Sequence, residues 1–188
     1  MQEQTTYIYL SPAFFFLHII NAYEHGDSLV IDICCYDNAD MLKCMTIEAL
    51  QVYFSYLKEV VGLVLLIKAR SLQDAQRNPE YLKQFFCRPK RFVLPLTVRS
   101  PGEKLVDPAL STCQVRLTEK NKLWIEPELI IDIGCELPQL DYFNNYGKFY
   151  RYFYAINSDI DYEFCGSVRN EFFLVDEQNA PPCGFPLI

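Results

Sequence analysis

Short runs of aromatic and β-branched residues, separated by turn residues, dominate the hydrophobic and polar pattern in the first part of the chain. Residues 14–23 and 29–36 are two such runs, and the H-G-D-S tetrapeptide between them is typical of a tight turn. This arrangement predicts a β-hairpin. Because alternate side chains of a strand point to the same face, Phe16, His18 and Ile20 are predicted to lie together on one face. His18 is therefore expected among apolar side chains rather than in a loop.

The periodicity changes between residues 40 and about 86, where apolar residues recur at helical spacing until Asn78-Pro79 interrupts them. Strand patterns return afterwards, at residues 91–98, 113–118, 122–125 and 148–156. Pro95 in the first of these favours an edge or a bulge of a sheet. The whole pattern predicts a mainly β fold, a section of a propeller or barrel with one inserted helical segment.

The most apolar run, residues 60–67, reads VVGLVLLI and is far too short to cross a membrane, since a spanning helix needs about 20 apolar residues. Extending it backwards would place Lys58 and Glu59 in the hydrocarbon, which is costly. The sequence therefore predicts no transmembrane span and leaves open a buried or interfacial helix.

Charge and cysteine usage narrow the class of protein. The net charge of -7 argues against a nucleic-acid binder, because phosphate contacts need a basic patch. The eight cysteines form no C-x-x-C pair, and two histidines cannot complete a zinc pattern. The first residues lack the basic region of a secretory signal. We therefore interpret the cysteines as reduced, mostly buried thiols of a cytoplasmic protein.

Residue types alone offer few candidates for chemistry. The sequence contains no phosphate-binding glycine loop, no G-x-S-x-G and no H-E-x-x-H motif. A Ser/His/Asp triad that uses His18 or His25 stays open but unsupported. Glu126 and Glu128 are interpreted as the exposed end of a strand rather than an acid/base pair, and His25 is expected in a solvated turn. His18 differs, because an imidazole on an apolar face needs a partner: a hydroxyl or backbone group usually, a metal more rarely.

Several ordered segments resemble the carotenoid oxygenase family. Residues 16–24 (FLHIINAYE) and 30–35 (VIDICC) resemble its F-x-H-x-I-N-x-Y-E and V-x-D-x-C-C motifs. Residues 91–96 (RFVLPL) are similar to its R-[FY]-V-L-P-L strand. Residues 137–142 (LPQLDY) and 147–152 (GKFYRY) resemble its F-P-Q-I-x-Y and G-K-x-Y-x-[YF] stretch. The order and spacing of these segments match those of the family. The sequence L-H-I-I-N at residues 17–21 resembles most the branch of insect carotenoid isomerooxygenases and animal beta-carotene oxygenases.

The resemblance implies a fold and an activity. Members of this family fold as a seven-bladed β-propeller with a helical cap. Four histidines from different blades hold one Fe(II), and glutamates hydrogen-bond some of those histidines from outside. The family reaction is the oxidative cleavage of a carotenoid double bond by molecular oxygen, which gives apocarotenals such as retinal. Since the substrate enters from lipid through an apolar tunnel, the resemblance implies peripheral association of the full-length protein with an intracellular membrane.

Little of that site falls within this chain when it is carried over residue by residue. His18 matches the third iron ligand, and an inward-pointing strand side chain suits an axial metal. Tyr36 matches an aromatic residue near the substrate cavity, and His25 matches no ligand. The other three histidines and the outer glutamates are expected in segments that this chain does not contain. The resemblance thus implies an Fe(II) cofactor and a carotenoid or retinoid substrate, with one of the four metal ligands here.

Two stretches depart from the family pattern. Residues 52–70 interrupt it, and beyond residue 167 the chain continues into a proline-rich end. Both departures begin with valine, whose codons start with GT as introns do, so we interpret both as translated intron. The predicted organisation is a partial carotenoid oxygenase domain over residues 1–167, with 52–70 as a non-family insertion, and an unstructured non-family tail over residues 168–188.

Two hypotheses for the function follow. An iron site needs a closed set of oriented ligands, and a single imidazole holds Fe(II) weakly. The chain alone is therefore expected to hold no stoichiometric iron and to turn over no carotenoid, although its family is enzymatic. The alternative is a non-catalytic chain that binds an apolar isoprenoid, or an unfolded fragment from a mis-spliced or partial gene.

Overall fold

The computed structural model describes residues 7–46, 83–98, 104–119, 121–157, 172–176 and 183–184. A 3-10 helix covers Asp40–Met45, and helix α1 covers Tyr142–Asn145. The described strands, in chain order, are β1 (Ile8–Leu10), β2 (Phe15–His25), β3 (Ser28–Tyr36), β4 (Cys87–Pro95), β5 (Gln114–Glu119), β6 (Lys122–Glu126), β7 (Glu128–Leu129), β8 (Glu136–Gln139), β9 (Tyr152–Ile156), β10 (Phe172–Asp176) and β11 (Cys183–Gly184). The prediction of a mainly β fold is confirmed.

One sheet has the order β2-β3-β4-β7, with antiparallel pairing throughout. The predicted hairpin is present, since β2 and β3 pair around a two-residue turn. Gly26 opens this turn with a φ of 58°, a conformation that glycine adopts without a clash of its side chain. β3 pairs with β4 from Ser28 opposite Pro95 to Tyr36 opposite Cys87. Pro95 ends β4, and because β7 pairs with β4 only at Lys90 and Arg91, Pro95 has a partner strand on one side only in the described sheet, as the predicted edge position expects.

Strand β2 does not follow a simple alternation. Its pairing with β3 shifts register between Phe16 and Ile19 and again between Ile19 and Asn21. Such irregularities can bring consecutive side chains to the same side of a strand, and accordingly Ile20 and Asn21 are both buried. The common face expected for Phe16, His18 and Ile20 is broken, because Phe16 is 43% exposed and Ile20 only 1%.

Two further sheets complete the described part. The first has the order β1-β6-β5, and the second has the order β11-β10-β9-β8. The strands predicted near 113–118, 122–125 and 148–156 correspond to β5, β6 and β9. In the tail over residues 168–188, which is expected to be unstructured, the described residues 172–176 and 183–184 form strands, because β10 pairs with β9 over its whole length and β11 pairs with β10. The apolar sequence FFLVD of β10 is a strand pattern in its own right.

A buried ion pair ties β3 to β4. Arg91 donates through Nε and Nη2 to the two carboxylate oxygens of Asp32, at 2.8 Å each. The hydroxyl of Tyr150 donates to the same carboxylate at 2.7 Å. A buried charge needs such partners, because its desolvation is costly. Apolar side chains from all three sheets form the core around it, among them Tyr23, Val30, Val93, Ile125 and Phe153.

Some predictions fall on residues that the structure does not describe. These are most of the helical segment between residues 40 and 86, the apolar run at 60–67 and the insertion at 52–70. Among the residues that are described, no helix has the length and apolar character needed to cross a membrane.

Candidate functional site

The imidazole of His18 meets a carboxylate from another sheet. His18 lies in β2 and Glu136 opens β8, and these two strands come into contact although 118 positions separate the two residues. Nδ1 of His18 lies 2.6 Å from Oε2 of Glu136. An ionised carboxylate only accepts hydrogen bonds, so we assign the proton to Nδ1, which donates. Nε2 then keeps its lone pair, as metal ligation requires.

Glu136 is itself held by its neighbours. The backbone N–H of Leu137 donates to Oε2 at 3.0 Å, and the thiol of Cys87 donates to Oε1 at 3.4 Å. The pairing of β8 with β9 shifts register between Glu136 and Gln139, and Leu137 adopts a φ of 50°. This left-handed conformation is uncommon for leucine, and bulges that redirect a side chain are frequent beside functional sites. The strained backbone here turns its N–H towards the carboxylate that contacts His18.

The exposed surface of His18 adjoins apolar side chains of its own strand. Phe16, Leu17 and Ile19 are each at least 40% exposed, and the side chain of His18 is 40% exposed while that of Glu136 is 12% exposed. The imidazole thus has a hydrogen bond to Glu136 on one side, while exposed apolar side chains precede and follow it in β2. Binding sites for apolar ligands combine these two features.

Tyr36 lies within the core of the described residues. Its side chain is 4% exposed, and its ring centroid lies 6.1 Å from that of Phe15. Burial raises the pKa of Tyr36, and the neighbouring Cys87 and Glu136 raise it further. The phenol is therefore neutral at physiological pH. The structure places Tyr36 in the surroundings of Glu136, beneath the candidate site.

Three fully buried thiols, those of Cys34, Cys87 and Cys135, adjoin this group. Sγ of Cys34 lies 3.8 Å from Sγ of Cys135. The hydrogen bond with Cys135 raises the pKa of Cys34, and the neighbouring Cys34 thiol followed by burial raises that of Cys87. Both thiols are therefore protonated near neutral pH. All five cysteines whose side chains are described are buried and free, which confirms for these five the prediction of buried thiols.

His25 lies in a different region. It lines a cavity of about 500 Å³ together with Arg91, Asp107, Glu128 and Phe149, among others. The lining includes neither the imidazole of strand β2 nor the carboxylate that contacts it. The two histidines of the chain therefore do not belong to one site.

The carboxylates of Glu126, which ends β6, and Glu128, which begins β7, have different partners. Glu126 is exposed and accepts a hydrogen bond from Nε1 of Trp124 at 2.8 Å. Glu128 instead accepts hydrogen bonds from the hydroxyl of Ser111 and the N–H of Thr112. Each carboxylate has its own local partners, so the geometry agrees with the interpretation that they are not an acid/base pair.

The donor set fits one position of a metal site. A neutral imidazole is a common ligand of iron, and a carboxylate on its second nitrogen fixes the ring orientation. Within the described residues, no group of three or more His, Cys, Asp or Glu side chains is arranged to hold a metal ion. His18 would therefore contribute a single ligand to a site completed from elsewhere.

Glu136 is a candidate site residue that the sequence pattern alone did not single out. The outer glutamates were expected in segments outside this chain, whereas in the structure a glutamate of this chain, Glu136, accepts a hydrogen bond from His18. One clue was present: Glu136 immediately precedes the LPQLDY segment that contributes to the family resemblance. Its pairing with His18 could not be read from the sequence, because it depends on a contact between two separate sheets.

Comparisons with known proteins agree with these features. A family model described as retinal pigment epithelial membrane protein matches residues 2–179. The carotenoid isomerooxygenase of Galleria mellonella is 33% identical over 153 residues, which cover 81% of this chain and 21% of that protein. The carotenoid isomerooxygenase of Drosophila melanogaster is 29% identical over 218 residues, covering 81% of this chain and 32% of that protein. The mitochondrial carotenoid-cleaving dioxygenase of Homo sapiens is 32% identical over 156 residues, covering 78% of this chain and 24% of that protein.

The chain thus spans between about a fifth and a third of the length of these relatives. Among solved structures, cobalt-substituted Synechocystis ACO matches with a TM-score of 0.45 and 17% identity, covering 91% of this chain and 24% of that one.

Proposed function

Because the chain belongs to the carotenoid oxygenase family, we propose that it is a section of an Fe(II)-dependent enzyme that cleaves a carotenoid double bond with molecular oxygen. The observation that carries this proposal is the hydrogen bond of 2.6 Å between His18 and Glu136. It holds an imidazole in the tautomer that metal binding needs, at the position where the family resemblance expects an iron ligand. The complete enzyme would be a seven-bladed β-propeller, with the other ligand histidines on blades outside this chain.

The proposed roles of the residues follow from their contacts. The iron, held by four imidazoles, would supply the binding and activation of molecular oxygen. His18 would bind it through Nε2. Glu136 would keep the proton on Nδ1, prevent rotation of the ring and increase the basicity of Nε2. The N–H of Leu137 and the thiol of Cys87 would hold the carboxylate in turn.

The proposed substrate is a carotenoid or a retinoid, cleaved to apocarotenals or retinal. The exposed apolar side chains next to His18 support an apolar substrate, because they would be covered when it binds. Tyr36, buried beside Glu136, would shape the floor of this region. Since carotenoids partition into lipid, the full-length protein would work in the cytoplasm at the periphery of an intracellular membrane.

Residues 1–188 by themselves would be inactive. One imidazole cannot compete with water and cellular chelators for Fe(II), because affinity depends on several ligands that bind together. Elemental analysis of the purified 188-residue chain is expected to find far less than one iron per chain. One tightly held iron per chain would contradict the single-ligand assignment.

The full-length protein encoded around this sequence provides the direct test. It is expected to contain one iron per chain and to convert a carotenoid such as β-carotene to an aldehyde, measured by chromatography. His18→Ala should lose both the iron and the turnover. His25→Ala is the matched control, because His25 ends β2 beside the turn and lines a separate cavity, and it should keep both. Full iron content in His18→Ala would show that His18 is not a ligand.

A second candidate function is supported by the exposed aromatic surface. Phe143 is 95% exposed and Tyr146 70% exposed, in addition to the apolar residues of β2. A chain with this surface could bind an apolar isoprenoid without catalysis. Quenching of retinol fluorescence by the 188-residue chain separates the two cases: saturable quenching supports a carrier, and its absence supports a fragment without function of its own.

The intron hypothesis is tested on the transcript. If residues 52–70 and 168–188 are translated intron, sequencing of mature messenger RNA should find transcripts that join residue 51 directly to residue 71. Such transcripts should continue beyond residue 167 into sequence that encodes further ligand histidines. Abundant mature transcripts that retain both stretches would contradict the hypothesis and favour a natural chain of this organisation.

A further inference from the structure

The geometry points to Cys87 as a positioning residue for the His18 ligand, because its thiol holds Glu136 through the carboxylate oxygen that the imidazole does not use. This inference rests on the proposed iron-binding role of His18. It assigns to a buried cysteine of β4 an effect on a metal that it does not touch.

The two oxygens of Glu136 have different partners. Oε2 accepts from Nδ1 of His18 at 2.6 Å and from the N–H of Leu137 at 3.0 Å. Oε1 accepts from Sγ of Cys87 at 3.4 Å. The last torsion of a glutamate side chain is broad and weakly restricted, so contacts to Oε2 alone leave the carboxylate plane free to tilt. A donor on Oε1 removes this freedom and thereby fixes the direction in which the imidazole is held.

The position of Cys87 suits this role. Its side chain is fully buried, so water does not compete for Oε1 from that side. The backbone N–H of Cys135 donates to the carbonyl of Cys87 at 3.1 Å, which ties β4 to the residue just before Glu136. The backbone segments that carry the thiol and the carboxylate are therefore held next to each other. Cys87 also lies opposite Tyr36 in the pairing of β3 with β4.

A space-filling role for Cys87 makes different predictions. Cys87→Ser keeps a hydrogen-bond donor but introduces a smaller, more polar atom, whereas Cys87→Val keeps an apolar side chain of similar size and removes the donor. If Cys87 only fills space, the valine variant should resemble the wild type and the serine variant should be impaired. If Cys87 positions Glu136, the serine variant should resemble the wild type and the valine variant should be impaired.

The experiment is a Co(II) titration of the full-length protein after removal of its iron, followed by the visible absorption of bound cobalt. We expect Cys87→Val to weaken Co(II) binding about 10-fold and Cys87→Ser to stay within about 2-fold of the wild type, because partners of a metal-binding histidine typically contribute 10- to 100-fold in affinity. The absorption bands of bound cobalt should shift in Cys87→Val and not in Cys87→Ser. Cys113→Val is the matched control, since Cys113 is buried but its neighbours are Ser111 and Glu128.

The outcomes are distinct. Wild-type affinity and spectrum in Cys87→Val overturn the inference, and so does a loss of affinity in Cys87→Ser equal to that in Cys87→Val. If Cys87→Val does not fold, judged by its far-ultraviolet circular dichroism, Cys87→Ala removes the donor without added bulk and is judged by the same criterion. A wild-type protein that binds no Co(II) contradicts the proposed function itself and is thus distinguished from a failure of Cys87 alone.

Discussion

The chemistry of His18 depends on which of its two nitrogens carries the proton. The carboxylate of Glu136 accepts from Nδ1 at 2.6 Å, which leaves Nε2 as the nitrogen available to a metal. Cys87 and the backbone of Leu137 hold that carboxylate on both of its oxygens. Three residues, Glu136, Cys87 and Leu137, thus lie in one line of hydrogen bonds that ends on the imidazole. The charged carboxylate of Glu136 is therefore expected to matter for this tautomer, and a neutral side chain of the same shape is not expected to replace it.

Glu136→Gln tests whether the carboxylate of Glu136 sets the tautomer of His18. The amide has nearly the same shape but no charge, and its nitrogen can donate to Nδ1 and move the imidazole proton to Nε2. We expect Co(II) affinity of the full-length protein to fall about 10- to 100-fold. Glu126→Gln is the control, since Glu126 is exposed and bonded to Trp124. An unchanged affinity in Glu136→Gln would mean that the carboxylate does not act on the metal site.

The strands of the chain could be predicted from its sequence better than their irregularities. The hairpin of β2 and β3 follows from two apolar runs and a glycine turn, which are local properties. The register shifts at Ile19 and at Leu137 depend on the packing of the folded sheets, and the hydrophobic periodicity of the sequence does not predict them. Likewise, His18 was recognised from its own strand, whereas Glu136 lies 118 positions away. Long-range contacts of this kind depend on the folded arrangement of separate elements.

The ion pair between β3 and β4 makes a prediction at the scale of these elements. In Arg91→Met, the fully buried carboxylate of Asp32 keeps its hydrogen bond from the Tyr150 hydroxyl but loses both hydrogen bonds from the Arg91 cation. Breaking one partner of a buried pair costs about 3–5 kcal/mol, and we expect this decrease in the free energy of unfolding of the full-length protein in urea. Lys122→Met removes an exposed pair with Glu119 and should cost at most about 1 kcal/mol. Equal effects of the two substitutions would contradict this difference.

At the scale of the whole molecule, the chain leaves β2 at the end of its described sheet. The relatives are much longer, since the matched part of the chain covers only 21% and 32% of the two insect proteins. An apolar strand without a partner on one side is a template for pairing with another copy. We therefore expect the isolated 188-residue chain to aggregate through β2, with a rate that rises with concentration.

Ile19→Lys tests this expectation. Ile19 is 48% exposed in β2, and a lysine there adds charge and removes apolar area, both of which oppose pairing between edge strands. Light scattering should show slower aggregation of the Ile19→Lys chain than of the unsubstituted chain. Glu24→Lys is the control for charge, because it makes the same strand more positive, by two charges instead of one, without removing apolar surface, and it should not slow aggregation. In the full-length protein, where β2 would line the substrate region, Ile19→Lys should instead lower carotenoid turnover without loss of iron. Faster aggregation of Ile19→Lys, or equal rates for all three chains, would show that β2 is not the surface through which the chains associate.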